Sequence, residues 1–267
     1  MYSMAAPHAK GKSAEDNIFA ANNRAIALAE KIGTENVVNA TVGSILDEDG
    51  SLVVLDVVKE ALSALTPKEM CAYAPIQGYR AFLDACIDQC FGKSRPEGYI
   101  DACSTPGGTG VLHHVVHNYS EVGDEVLISD WHWGAYDSLI DDNNRKVRTF
   151  SLLTEDGHFH AADFKDKVED ILSRQDNIVI ILNGIANNPT GYCLSDEEWQ
   201  AAIDVLKEAV KDETKKAILV PDVAYLDYSG EKEECRRFFR LFGGLPKNIL
   251  TVCAYTLSKG FTMYGQR

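Results

Sequence analysis

The stretch Ile178-Val179-Ile180-Ile181-Leu182, followed by Asn183-Gly184-Ile185-Ala186-Asn187-Asn188-Pro189-Thr190-Gly191, decides the fold. Five aliphatic residues in a row, with no polar alternation and a polar, Gly-containing stop, describe a strand covered on both faces. Glu125–Ile128, Ala217–Val220 and Ile249–Ala254 read the same way. Between these runs the apolar spacing turns helical. Phe82, Leu83, Cys86, Ile87, Cys90 and Phe91 form one stripe, and Val111, Leu112, Val115, Val116 and Tyr119 another. Ser195 with Glu198 reads as a capping box opening a helix whose core face is Trp199, Ile203, Leu206 and Val210. A further helix is expected near residues 18–32, behind a polar arm over 1–17. The fold class is α/β, a mostly parallel sheet flanked by helices.

At 267 residues the chain can bury one large α/β core, with or without a small appended piece. A net charge of −14 repels phosphate backbones and anionic lipid, so nucleic acid and membrane partners are not expected. Aliphatic runs are far shorter than a membrane span, and the first residues lack the apolar centre of a secretory signal. The seven cysteines are odd in number, with no C-x-x-C pair. They read as reduced thiols, and the expected compartment is the cytoplasm. No metal site is expected.

Ligands of open α/β sheets bind beyond the carboxyl ends of the strands. Asn183 to Gly191 follow one such end, Pro221-Asp222-Val-Ala-Tyr225 the next, and Tyr255-Thr256-Leu257-Ser258-Lys259-Gly260 the last. The loop Thr105-Pro106-Gly107-Gly108-Thr109-Gly110 opens a helix. Singly, each feature has a plain explanation: a turn, a capping carboxylate, a solvated lysine. The glycine loop lacks the Gly-Lys-Ser/Thr ending of a P-loop and the full G-x-G-x-x-G of a dinucleotide site. Together they would set an amide, a carboxylate, a phenol and an amine around one crevice.

The ordered motifs Gly-Gly-Thr-Gly, Asn-Asn-Pro-Thr-Gly, Asp-x-x-Tyr and Ser-Lys-Gly…Arg resemble the class I/II aminotransferases, fold-type I enzymes that use pyridoxal 5′-phosphate. The spacings agree: 34 residues from Asn188 to Asp222, three on to Tyr225, 37 from Asp222 to Lys259 and eight on to Arg267. The resemblance implies an N-terminal arm and small-domain segment over 1–50 and a cofactor-binding large domain over 51–267. It implies that Lys259 forms a Schiff base with the cofactor and shuttles a proton. Asp222 would pair with the pyridine nitrogen; at about 4 Å and an effective dielectric near 20 the attraction is roughly 4 kcal/mol, about three pKa units before desolvation. Tyr225 and Asn188 would donate to the cofactor's phenolate oxygen. Gly108, Thr109, Thr256 and Arg267 would hold the phosphate, and Trp133 would stack on the ring. Tyr73 matches a residue that reaches the neighbouring subunit's phosphate, which implies a homodimer. Gly43 resembles a glycine near the substrate carboxylate, and Asn188 would also face the substrate.

The expected function is therefore transfer of an amino group between an amino acid and a 2-oxo acid. Family members continue past the residue matching Arg267, with the rest of both domains and a carboxylate-binding arginine. Tyr136 stands where some aspartate-using members carry a histidine that supports the pyridine-binding aspartate. Other readings stay open: a lyase or decarboxylase with the same cofactor, an inactive cofactor-binding fragment, or a sensor module. The last lacks any visible DNA-binding segment. His113 and His117 imitate a helical zinc motif, but His114 takes the place of its glutamate, and a solvated helix face is the expectation.

Overall fold

The computed structural model describes residues 4–10 and 17–266. The chain divides into two compact units, Met1–Val53 and Val54–Arg267. In the first, α1 (Asn17–Ile32) is followed by irregular chain that closes on itself through a bridge between Leu46 and Leu52.

The second unit is a five-stranded, all-parallel sheet in the order β2-β1-β3-β4-β5. Its strands are β1 (Glu125–Ser129), β2 (Lys146–Phe150), β3 (Asn177–Leu182), β4 (Lys216–Pro221) and β5 (Ile249–Thr251). Around them run α2 (Asp56–Ala64), α3 (Pro67–Cys71), α4 (Arg80–Phe91), α5 (Gly107–Tyr119), α6 (Ala135–Asp142), α7 (Ala161–Leu172), α8 (Asp196–Ala209) and the single turn α9 (Leu257–Gly260).

Side chains alternate across a strand, so an unbroken aliphatic run feeds two cores at once. Ile178, Ile180 and Leu182 of β3 join Leu127, Ala217 and Leu219 in a core with α4, α7 and α8. Val179 and Ile181 join Val126, Ile128, Ile218 and Val220 against α5 and α6 on the other face. The capping box of α8 is present: Glu198 N–H donates to Ser195 Oγ at 3.2 Å and Ser195 N–H returns to Glu198 Oε2 at 2.8 Å. Glu198 also accepts from Phe159 N–H and the Tyr192 hydroxyl, which ties the cap to the preceding loops.

Two strands differ from the sequence reading. β2, Lys-Val-Arg-Thr-Phe, lies at one edge of the sheet, where only Phe150 is buried and no aliphatic run is needed. β5 lies at the other edge among the described residues; it stops at Thr251, and Leu250 is 40% exposed rather than covered. Ala254, included in that run, instead makes an isolated parallel bridge with Asp222.

The strand order reverses between β1 and β3, because the connection after β1 leads outward to β2 and the next returns across it. Loops leaving the carboxyl ends on either side of such a reversal face a shared crevice. No described helix is long and apolar enough to cross a membrane.

Candidate functional site

Asp222 is the first residue past β4. Its N–H donates to Leu182 O at 3.0 Å, and its carbonyl accepts from Asn183 Nδ2 at 2.8 Å. The carboxylate is buried. Its Oδ1 accepts from Ala224 N–H at 3.1 Å and its Oδ2 from the Tyr136 hydroxyl at 2.5 Å. Burial pushes its pKa above the ordinary carboxylate value, opposed by these two donors and the charge of Lys259. Burial, then the adjacent negative charge, holds the Tyr136 phenol well above its ordinary value.

Lys259 lies on α9, whose first turn is capped by Thr256 Oγ1 accepting from Ser258 N–H at 3.2 Å. Its Nζ stands 5.6 Å from the centre of the Tyr225 ring and 5.3 Å from that of Tyr264. Burial lowers the lysine pKa, and Asp222 pulls the other way. The Tyr228 hydroxyl donates to its carbonyl at 2.8 Å. Next to it, a Cβ on Gly260 would fall 2.4 Å from Asp227 Oδ2, a carboxylate held by buried Arg236. Tyr225 is half-buried and hydrogen-bonded to the Asn188 side chain; burial raises its pKa, Asp222 adds to the rise and Asn188 opposes it.

At the start of α5, Gly107 N–H returns to Thr105 O and Gly110 N–H to Pro106 O. The amides of Gly108 and Thr109 have no carbonyl partner among the described residues. They form part of a helix N-terminus, where donors and dipole favour an anion. Gly108 faces Thr256: a Cβ there would lie 3.7 Å from the threonine Cβ. The Thr256 oxygen accepts one N–H and keeps its own proton to donate.

These contacts bring Asn188, Asp222, Tyr225 and Lys259 together, and Gly108 and Thr256 beside one another. Trp133 is half-buried and packs edge-on against Tyr136, ring centres 5.8 Å apart. Trp131, two residues away, is 54% exposed. Tyr73 stands fully exposed, as does Ile76 three residues on. Gly43 belongs to the first compact unit. Arg267 lies outside the described residues.

Sequence reasoning missed two residues. Asn183 donates to the Asp222 carbonyl and accepts from Asn188 N–H at 2.7 Å, joining two site loops. Its signal was its place, directly after a buried strand. In sequence Tyr136 is only a departure from a histidine pattern; in the structure its hydroxyl is a donor to Asp222. Asn187, quoted only within its motif, binds the Trp131 carbonyl through Nδ2 at 3.2 Å and accepts from Thr190 through Oδ1.

Cys193, beside the Asn188-Pro189-Thr190-Gly191 turn, accepts from Ala186 N–H at 3.1 Å. His113 shares a hydrogen bond with Asn143 and stacks on His117. The described residues hold no group of three or more potential metal ligands. All seven cysteines are free thiols.

Residues 35–267 match the family described as aminotransferase class I and II. The chloroplastic aspartate aminotransferase of Arabidopsis thaliana is 30% identical over 237 residues, covering 86% of this chain and 50% of that relative. The aromatic-amino-acid aminotransferase of Escherichia coli (strain K12) is 26% identical over 241 residues, covering 86% and 57%. The crystal structure of an aminotransferase from Anaerococcus prevotii superposes with a TM-score of 0.96 at 38% identity, covering all of this chain and 65% of that one. The chain spans about half the length of the curated relatives it matches.

Proposed function

We infer the reaction from one premise: the chain belongs to the class I and II aminotransferase family. The reaction is transfer of an amino group between an amino acid and a 2-oxo acid, with pyridoxal 5′-phosphate as the cofactor. One observation carries this reading: Lys259, Asp222, Tyr225 and Asn188, from loops far apart in sequence, meet beyond the ends of β3, β4 and β5.

The donor set fits the cofactor. A buried carboxylate suits a protonated ring nitrogen, a phenol and an amide suit a phenolate oxygen, and two amides at a helix start without a carbonyl partner among the described residues, beside a threonine hydroxyl, suit a phosphate. When bound, pyridoxal 5′-phosphate supplies an aldehyde that takes up the amino group and a ring that draws electrons from the carbon losing its proton.

The chain's own residues do the rest. Asp222 holds a negative charge where burial strengthens its pull on a cation. Lys259, its basicity reduced by burial, offers an amine that can both hold and release a proton at Nζ. Tyr225, positioned by Asn188, directs a hydroxyl into the same space. Gly108, Thr109, Thr256 and Arg267 would bind the phosphate, Trp133 would cover the ring and Asn188 would face the substrate; Gly43 is a substrate-side residue by its resemblance alone. Tyr73 serves the neighbouring site of a homodimer; its full exposure supports that role. Residues 1–50 act as arm and small-domain segment and 51–267 as the large domain. The protein works in the cytoplasm on small molecules, without nucleic acid or membrane partners.

The test uses the full-length protein loaded with pyridoxal 5′-phosphate. We expect a visible absorption band and, after borohydride treatment, cofactor fixed to Lys259. A folded, cofactor-treated sample with neither result removes the reading. Mixing the loaded protein with amino acids in the absence of a 2-oxo acid then separates reactions. Stoichiometric pyridoxamine phosphate supports transamination, whereas catalytic release of ammonia or carbon dioxide assigns a lyase.

A further inference from the structure

We propose that Tyr136 is a positioning residue for the cofactor-binding carboxylate: its hydroxyl donates to Asp222 Oδ2, keeping that carboxylate ionised and fixed in orientation toward a bound pyridine ring. The inference rests on the role given to Asp222 above and extends it to a side chain that does not itself touch the ring.

The geometry is that of a charge-assisted bond. The donor is a phenol O–H and the acceptor a buried carboxylate oxygen, the pairing that makes hydrogen bonds stronger than neutral ones. Tyr136 is 1% exposed and Asp222 8%, so water contributes little to stabilising the anion. A buried carboxylate that lacks hydrogen bonds takes up a proton instead. Among the described residues Ala224 N–H donates to Oδ1 and the Tyr136 hydroxyl to Oδ2, so both oxygens accept from the protein. The carboxylate plane is thereby set from two directions.

Tyr136 is itself held. The His132 ring stacks on it at 6.1 Å with 10° between planes, and Trp133 meets it edge-on. His132 is tied in turn to Ser129 O at 2.8 Å and Asp137 Oδ2 at 3.2 Å. The phenol remains a donor wherever the protein works, because its proton is bound more tightly than that of a free tyrosine. Among the described residues the titratable groups facing Asp222 are Tyr136 from α6, Tyr225 from the loop after β4 and Lys259 from α9; those facing Tyr136 are Asp222, Tyr225 and His132. An imidazole, whose unperturbed pKa is about 6.5, can change charge within the physiological range. A phenol does not, so the hold of Asp222 on the cofactor stays level across that range.

The experiment titrates the cofactor-free, full-length protein with pyridoxal 5′-phosphate from about pH 5.5 to 8.5, spanning the imidazole range. Dissociation constants are read from the visible band for the wild type, Tyr136→Phe and Tyr136→His. The expected result is a roughly tenfold or greater weakening in Tyr136→Phe at every pH, the loss of one hydrogen bond to a charged group. Tyr136→His is expected to recover affinity in a manner that changes as its imidazole titrates. Equal constants for wild type and Tyr136→Phe overturn the proposal. Equal, pH-independent losses in both variants also overturn it, since they assign Tyr136 to packing. A wild type that binds no cofactor instead refutes the proposed function itself, and this inference with it. Circular dichroism of each cofactor-free variant precedes titration. Should Tyr136→Phe fail to fold, the pH profile of Tyr136→His decides: a profile that follows the imidazole supports the proposal, and a flat one overturns it.

Discussion

Replacing Asp227 by Asn strands a charge in the core. Arg236 is 0% exposed, and its guanidinium donates to Gln89 O at 3.2 Å, Lys232 O at 2.9 Å, Cys235 Sγ at 3.3 Å and the Asp227 carboxylate. Of these four partners Asp227 alone is anionic. In Asp227→Asn the hydrogen bonds can persist while the compensating charge disappears. Breaking a buried pair from one side costs about 3–5 kcal/mol, and the lower end applies because the Asp227 side chain keeps 20% exposure. For a domain of this size, about 3 kcal/mol corresponds to a melting temperature lower by roughly 6–12 °C. Thermal unfolding of the cofactor-free, full-length protein, followed by circular dichroism, measures it. Adding Arg236→Met removes the stranded charge, so the double variant should lose less than the two single losses added together. A melting temperature for Asp227→Asn within about 1 °C of wild type, or strict additivity in the double variant, would refute the reasoning.

Asp222→Asn carries a prediction of opposite sign for the cofactor-free protein. Its carboxyl pKa is raised in the folded chain above the ordinary 3.8, so between those two values the folded state holds more protons than the unfolded one. Stability therefore falls as pH rises through that window. Above it, burial of the anion is a standing cost that an amide avoids. The variant should melt higher than wild type at neutral pH, with the gap shrinking on acidification, while its affinity for pyridoxal 5′-phosphate falls. A lower melting temperature at every pH contradicts this. Gly184→Ala should destabilise by about 1–3 kcal/mol, because the new methyl would sit 2.6 Å from Trp199 Cζ2. That ring is wholly buried and stacked on Phe238 at 4.7 Å, so it has little room to yield. Unchanged thermal unfolding would show that the ring moves aside.

The central strands were legible because β1, β3 and β4 are buried on both faces and carry aliphatic runs with no other purpose. β2 was not, because an edge strand with Lys146 and Arg148 has the composition of a loop. In the candidate site, Lys259, Asp222, Tyr225 and Asn188 announced themselves by following strands in a recognisable order. Tyr136 did not, since 86 residues separate it from Asp222 and nothing local marks a phenol as a donor. Asn183 escaped notice for a related reason. Its amide acts on the backbone of its own loop and of the loop after β4, a role that depends on where the chain goes next and leaves no local pattern.

That asparagine has a consequence for protein engineering. By clasping the Asp222 carbonyl with one end of its amide and the Asn188 N–H with the other, it ties the loop after β3 to the loop after β4. A chimaera whose loop after β3 comes from a relative without this asparagine would arrive without its fastening. Exchanges made as a pair, with the asparagine included, should transplant intact.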